Sequence, residues 1–166
     1  MPEYQEEQAA FWQAFLDSLP PEAPRPQKYE AWCFGDSPQL AHELAGLVLR
    51  GLKTATCGAL WEYEREGERL PEPGEFSLVT EYDGRPVCVI QTMSVEVKPF
   101  DQVDAQFAYE EGEDDRTLES WRAAHQRFFT RSLAQFGLEP QKAMPLVCER
   151  FRKVYPPGHE EGAPTP

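Results

Sequence analysis

Apolar residues recur at helical spacing in four segments of the chain. The pattern predicts amphipathic helices over residues 3–19, 38–50 and 117–136, and a shorter helix over 104–111. Their ends carry ordinary stop and start signals. Pro20 ends the first helix, Asp36 or Ser37 caps the second, and Gly51 and Gly137 stop the second and the longest.

Alternating apolar residues predict the extended parts of the chain. These are a short strand or arm over 29–35 and strands over 53–61, 76–82, 87–97 and 146–155. We expect the three middle strands to form an antiparallel meander and the last strand to complete a sheet that hides its edges by closing. The predicted fold class is therefore α+β, a small and mostly antiparallel β-barrel with surrounding helices.

The length of 166 residues corresponds to one compact domain. We expect residues 1–28, an N-terminal helix and a proline-rich connector, to pack on a domain that spans 29–155. Residues 156–166 are rich in proline, glycine and glutamate, a composition typical of a disordered tail.

Charge is distributed unevenly along the chain. The formal net charge of −13 argues against a whole surface that binds nucleic acid, and we expect no sequence recognition of DNA. Residues 116–153, however, carry 8 Lys and Arg against 3 Asp and Glu. This basic region could meet RNA phosphates, although the sequence alone favours a solvated helix face and a charged edge strand.

The cysteines and the apolar runs indicate the compartment. Four separated cysteines, Cys33, Cys57, Cys88 and Cys148, are typical of unpaired thiols in a reducing environment, and no zinc or disulfide framework is predicted. No apolar run approaches the ~20 residues that span a bilayer. We therefore expect a cytoplasmic protein that has no membrane partner.

Two strings carry the candidate chemistry. One places Lys53, Thr54 and Thr56 directly after the helix stop at Gly51, and the other is the acidic run over residues 110–115. Along an extended strand, Lys53 would face away from Thr54 and Thr56 unless a bulge re-aims one of them. A catalytic role would require the fold to bring lysine and acid together.

Several short motifs follow one another in a distinctive order and spacing. They are Phe34-Gly35-Asp36, Gly51 to Thr56, Leu60-Trp61-Glu62-Tyr63, Pro86 to Ile90, Pro99-Phe100, Ala108 to Glu113, Trp121-Arg122, His125 and Phe128-Phe129. Together they resemble the ASCH domain family, a PUA-like superfold of small β-barrels associated with RNA. The resemblance covers about residues 29–155 and is greatest for longer bacterial members that carry an added N-terminal helix. At position 114 this chain has aspartate where such members usually have glycine.

The resemblance implies two chemistries. One is cleavage of single-stranded RNA, which we rank first, and the other is hydrolysis of the acetyl amide of N4-acetylcytidine. For the second, the matching positions are Lys53 as general base, Thr56 as nucleophile and Glu111 as proton carrier. A third alternative is an RNA-binding module without catalysis. No cofactor is certain and no metal ligand is assigned, although a ribonuclease could use Mn²⁺ or Mg²⁺ held by acids such as Glu113.

Six further residues are candidates for binding RNA or a modified nucleoside: Thr54, Trp61, Tyr63, Arg122, Arg127 and Arg131. The aromatic rings could stack on bases and the arginines could contact phosphates, although a core or barrel-rim position is as plausible for the two rings. His125 lies on an apolar helix face, which favours a hydrogen-bonded structural histidine over a catalytic one. The acids at 113–115 could equally be solvated groups that precede a helix.

Overall fold

A curled five-stranded sheet forms the framework of the computed structural model, which describes residues 2–158. The strands are β1 (Glu30–Trp32), β2 (Ala55–Ala59), β3 (Phe76–Thr80), β4 (Pro86–Pro99) and β5 (Pro145–Tyr155). The helices are α1 (Gln5–Ser18), α2 (Pro38–Leu49), α3 (Leu60–Glu66), α4 (Ala105–Glu111) and α5 (Leu118–Ala134), and 3₁₀ turns occupy Pro2–Tyr4 and Phe100–Gln102. The predicted tail from residue 159 onward lies outside the described residues.

The strand order is β1-β3-β4-β5-β2, with β1 parallel to β3 and the other neighbours antiparallel. The predicted α+β class is confirmed, and the mostly antiparallel sheet is a curled half-barrel. The expected closure of the sheet is not seen within residues 2–158, because the outer strands β1 and β2 do not pair with each other. The predicted three-strand meander is wrong, because β2 pairs with β5 and not with β3. A pairing between strands that lie about ninety residues apart depends on tertiary packing, which local alternation does not encode.

The predicted strand over residues 53–61 is too long at both ends. Pairing starts at Ala55, and the chain turns into α3 at Leu60. The residues of α3 include several good helix formers, and the helix ends at Gly67, which has a left-handed φ of 67°. Trp61 and Tyr63 consequently lie on a helix and not on a strand.

Three apolar clusters attach the helices to the sheet. Phe129 and Leu133 of α5 pack with Leu146 of β5, and Val48 of α2 packs with Ile90 of β4. The third cluster joins α1 to β3 and β4 through Trp12, Phe15, Leu78 and Val89. Helices α1, α2 and α5 are thus each attached to the sheet through a separate apolar cluster.

The helix starts follow from local chemistry. The Ser37 hydroxyl accepts a hydrogen bond from the Leu40 amide, and Asp104 and Thr117 cap α4 and α5 in the same way. Of the two caps predicted for α2, the structure selects Ser37. None of the helices within residues 2–158 is long and apolar enough to cross a membrane.

Candidate active site

The end of α4 lies directly against the chain that enters β2. The Thr54 amide donates to the Glu110 carbonyl at 2.7 Å, so the two segments are held together by their backbones. Gly112 makes the close approach possible, because it has φ 75° and a Cβ at this position would lie 2.2 Å from the Leu52 carbonyl oxygen. This contact brings the lysine and the acidic run together.

Lys53 lies at the base of the site and is 2% exposed. Its Nζ donates to Glu111 Oε1 at 3.2 Å and to Glu113 Oε2 at 2.9 Å. The Phe34 ring lies beneath the ammonium, with its centroid 5.3 Å from Nζ. A buried lysine with two carboxylate partners forms a fully paired charge cluster.

The two carboxylate oxygens of Glu111 have different neighbours. Oε1 receives Lys53, whereas Oε2 accepts from the indole Nε1–H of Trp121 and lies 3.0 Å from His125 Nε2. The Cys57 thiol is directed at the same Oε2 atom from 3.6 Å. Groups from β2 and α5 therefore converge on one oxygen atom of α4.

The charges of the cluster follow from these contacts. Burial alone would lower the pKa of Lys53, but the Glu111 and Glu113 carboxylates outweigh it and raise the pKa above its usual value. Burial would raise the pKa of Glu111, and His125 and Lys53 reverse that effect, so its pKa is lowered. The resting site holds an ammonium at Lys53 and a carboxylate at Glu111.

Both ring nitrogens of His125 have a polar partner. Nδ1 lies 2.8 Å from the Trp121 carbonyl, an acceptor, so Nδ1 carries a proton. Nε2 faces the Glu111 carboxylate, and although burial disfavours the charged ring, Glu111 raises the pKa of His125. The predicted hydrogen-bonded histidine is confirmed, but the sequence did not indicate that it contacts Glu111. The spacing of four residues from Trp121 was the one available signal.

A cavity of about 430 Å³ opens above this cluster. Lys53, Glu111 and His125 border it together with Thr56 and Cys57. Lys53 and Thr56 both reach it because Lys53 precedes the first paired residue of β2, so strand alternation does not separate them. The remaining wall combines apolar, cationic and acidic side chains: Phe34, Leu40, Leu44, Leu47, Phe128, Arg50, Arg127, Arg131, Glu43, Glu113 and Asp114.

The other predicted binding residues are divided by the fold. Arg127 and Arg131 border the cavity, and Arg131 also pairs with Asp36 at 3.0 Å. The Thr54 hydroxyl donates a hydrogen bond to the Glu110 carbonyl at 3.3 Å. Exposed Arg122 lies on α5 and does not belong to the described lining of the cavity.

The two aromatic candidates lie on α3, away from the cavity. Trp61 borders a separate hollow beside Glu64 and Leu138. The Tyr63 ring packs against Gly58, where an added Cβ would lie 3.3 Å from it. Neither ring belongs to the described lining of the cavity that contains Lys53.

The acids that follow Gly112 do not form an oxygen cage for a hard cation. Glu113 is bound to Lys53, and Asp115 accepts from the amide and hydroxyl of Thr117 at 3.0 and 2.6 Å. Asp114 borders the cavity with φ 51°, a conformation that favours glycine. These residues therefore do not fit the Mn²⁺ or Mg²⁺ site that the ribonuclease alternative would use.

The fold and the site define a small α+β domain with a half-barrel sheet and a cavity above a buried charge cluster. A family description named ASCH domain matches residues 30–155, and the chain belongs to this family, whose PUA-like fold implies RNA binding in general. The predicted family is confirmed.

Two solved structures support the assignment. An ASCH domain from Lactobacillus crispatus is 36% identical, with a TM-score of 0.85, and the match covers 91% of this chain and 96% of that chain. A protein from Enterococcus faecalis is 33% identical, with a TM-score of 0.78, covering 94% and 98% respectively. A comparison with curated proteins gives no significant match.

Proposed function

We propose that the protein is an amidohydrolase that admits one nucleoside unit to the cavity and removes the acetyl group of N4-acetylcytidine. The observation that supports this choice is the cavity of about 430 Å³ bordered by Lys53, Thr56 and Glu111 together. Cavities of this size enclose small ligands, and apolar walls with a few polar groups are typical of such sites. A flat or grooved surface would have favoured a polymer.

The proposed reaction begins with attack of the Thr56 hydroxyl on the acetyl carbonyl carbon. The hydroxyl proton passes through Lys53 and Glu111 to the departing N4 nitrogen, which leaves as the amine of cytidine. Water then hydrolyses the acetyl ester of Thr56 and releases acetate. The net reaction consumes one water and needs no redox partner.

The resting ion pairs impose a condition on this mechanism. An ammonium cannot accept a proton, so Lys53 must release its own proton before it acts as a base. Glu113 is the partner that a substrate could displace, because its side chain is 22% exposed whereas that of Glu111 is 1% exposed. Displacement of Glu113 would leave Lys53 with one carboxylate and lower its pKa.

A threonine pair tests the assignment. Wild type should release acetate from N4-acetylcytidine, Thr56→Val should abolish release and the acetyl-enzyme adduct seen by mass spectrometry, and Thr54→Val should retain most activity. Thr54 is the matched control because its hydroxyl bonds to the Glu110 carbonyl outside the cavity lining. Full activity of Thr56→Val would overturn the proposed nucleophile.

RNA cleavage is the second candidate, and the cations at the cavity rim favour it. Arg127 and Arg131 border the cavity and could hold the phosphates that flank an inserted base. The substrate's own hydroxyl or a water would then be the nucleophile, and Thr56 would be dispensable.

Charge reversal at the rim tests this second candidate. Arg127→Glu with Arg131→Glu should weaken the binding of single-stranded RNA and reduce its salt dependence, whereas Arg122→Glu, on the exposed part of α5, should have a smaller effect. Cleavage should be measured with and without Mn²⁺ or Mg²⁺. RNA binding without turnover of either substrate would leave the non-catalytic module as the function.

The proposal includes a cytoplasmic location. The four cysteines are unpaired, which suits a reducing compartment.

A further inference from the structure

Three side chains from three different elements aim ligand atoms at one point at the base of the cavity. They are Cys57 of β2, Glu111 of α4 and His125 of α5, and their ligand atoms all lie within 4.8 Å of one another. The catalytic scheme above uses only Glu111 of the three. Thiol, carboxylate and imidazole together form a ligand set that zinc prefers and that magnesium and manganese do not.

The spacing of these atoms fits a tetrahedral centre. Bond lengths of about 2.3 Å to sulfur and about 2.1 Å to oxygen or nitrogen require S···O and N···O separations of about 3.6 Å and about 3.4 Å. The observed separations are 3.6 Å from Cys57 Sγ to Glu111 Oε2 and 3.0 Å from His125 Nε2 to the same oxygen. The third separation, between the ligand atoms of Cys57 and His125, lies within 4.8 Å, so a metal ion would be accommodated by movement of these two side chains towards each other.

The groups behind these ligands are also those of a metal site. Nδ1 of His125 donates to the Trp121 carbonyl at 2.8 Å, which directs Nε2 towards the cluster. The Trp121 indole donates to Glu111 Oε2, the same oxygen that would bind the metal. Lys53 binds the other carboxylate oxygen, Oε1, at 3.2 Å. Hydrogen bonds of this kind fix the orientation of metal-bound histidines and carboxylates.

Charge and access are compatible with a divalent cation. A thiolate at Cys57 and the carboxylates of Glu111 and Glu113 would balance one divalent cation and the Lys53 ammonium. All three ligand residues border the cavity, so an ion has an entry path and its fourth position would face the cavity.

We propose that Cys57, Glu111 and His125 form a binding site for one Zn²⁺ ion, with water or a substrate atom as the fourth ligand. Binding releases the thiol proton of Cys57 and any proton on His125 Nε2 to solvent, and no redox change occurs. The bound ion occupies Glu111 Oε2 and therefore inhibits the amide hydrolysis. This last consequence alone rests on the proposed function.

The binding test uses the purified full chain, stripped of metal and kept reduced. Zn²⁺ titrated against a chromophoric chelator should bind with one equivalent per chain, while Mg²⁺ in large excess should not compete. Cys57→Ser and His125→Gln should each weaken binding by about 100-fold or more, since removal of a mere supporting hydrogen bond already costs about 10- to 100-fold. Cys33→Ser is the matched control, because this half-buried thiol lies outside the cluster, and it should leave affinity unchanged.

A spectroscopic measurement separates coordination from a folding defect. Co²⁺ substituted for Zn²⁺ should give a thiolate charge-transfer band in wild type and Cys33→Ser, and this band should be absent in Cys57→Ser whose circular dichroism is native. Equal Zn²⁺ affinity in Cys57→Ser and Cys33→Ser, or a cobalt spectrum without a thiolate band, would overturn the site. Thr56→Val should bind Zn²⁺ with wild-type affinity whether or not it hydrolyses N4-acetylcytidine. The zinc site and the amidohydrolase activity can therefore fail independently.

Discussion

Two buried glutamates, Glu111 and Glu149, have very different polar neighbours in the same fold. Glu111 meets Lys53, His125 and Trp121, and its pKa is lowered although its side chain is only 1% exposed. Among the described residues, Glu149 on β5 has one hydrogen-bond donor, the Thr92 hydroxyl at 2.6 Å. Burial raises the pKa of Glu149, and the Thr92 hydrogen bond opposes that effect only in part.

The difference shows that burial alone does not fix the charge of a carboxyl group. A lone hydroxyl cannot replace the hydration that an ionised carboxylate loses, whereas an ammonium and an imidazole can offset the loss. The fold thus maintains a charge at Glu111 and disfavours one at Glu149. Chemistry that moves protons depends on the first arrangement.

The largest effect is expected from breaking the Lys53 and Glu111 pair. Glu111→Gln and Lys53→Met should each lower the free energy of unfolding by about 3 to 5 kcal/mol, because each removes one charge from a buried ion pair and leaves the other charge incompletely compensated. The double variant should cost less than the sum of the two. Denaturant unfolding of all four proteins measures the coupling.

Glu149 supplies the control for that cycle. It shares no hydrogen-bond partner with Lys53 among the described contacts, so Glu149→Gln combined with Lys53→Met should be additive within about 0.5 kcal/mol. Equal coupling of Lys53 to both glutamates would mean that the contrast between them is not energetic.

A second, smaller effect concerns the backbone contact that places Glu111 beside Lys53. Gly112→Ala introduces a Cβ that would meet the Leu52 carbonyl at 2.2 Å, whereas Gly67→Ala has a similar φ of 67° and open space around the new Cβ. Both variants incur the left-handed backbone cost of about 1–2 kcal/mol. Gly112→Ala should lose about 1–3 kcal/mol more, because packed backbone must move.

Thermal unfolding and N4-acetylcytidine turnover would measure this second comparison. Gly67→Ala should keep activity per folded molecule, and Gly112→Ala should lose it as Glu111 is displaced. Similar losses of stability in both variants would show that the close approach to Leu52 is not required.

The sequence predicts those parts of the molecule that local signals determine. Helix α2 was recognisable because Ser37 and Pro38 mark its start and Gly51 follows its end, and these signals act within a few residues. The meeting of Lys53 with Glu111 was expected only from the family resemblance, since 58 residues separate them. Local patterns carry no information about that separation.

Other features of the site could not be predicted for the same physical reason. Cys57 and His125 reach Glu111 because β2 pairs with β5 and α5 packs over both, which are tertiary contacts. Trp61 falls at the end of the predicted strand because a short segment rich in aromatic residues fits either period, and Tyr63 lies beyond that strand. The directions of both rings follow from the turn into α3 at Leu60.

The smallest predicted effect tests Glu149 through pH. A folded-state pKa raised above the unfolded value of about 4.5 contributes stability at pH below 4.5 and loses it as pH rises through the folded value. Glu149→Gln keeps an acceptor for Thr92 and cannot ionise, so its melting temperature should exceed that of wild type at pH 8. The corresponding gain in the free energy of unfolding should be on the order of 1 kcal/mol at pH 8, a fraction of the desolvation cost of a buried polar group. This gain should shrink towards pH 5. If the difference in melting temperature between Glu149→Gln and wild type stayed constant from pH 5 to pH 8, burial would not disfavour the ionised form of Glu149. The contrast between the two carboxyl groups would then fail.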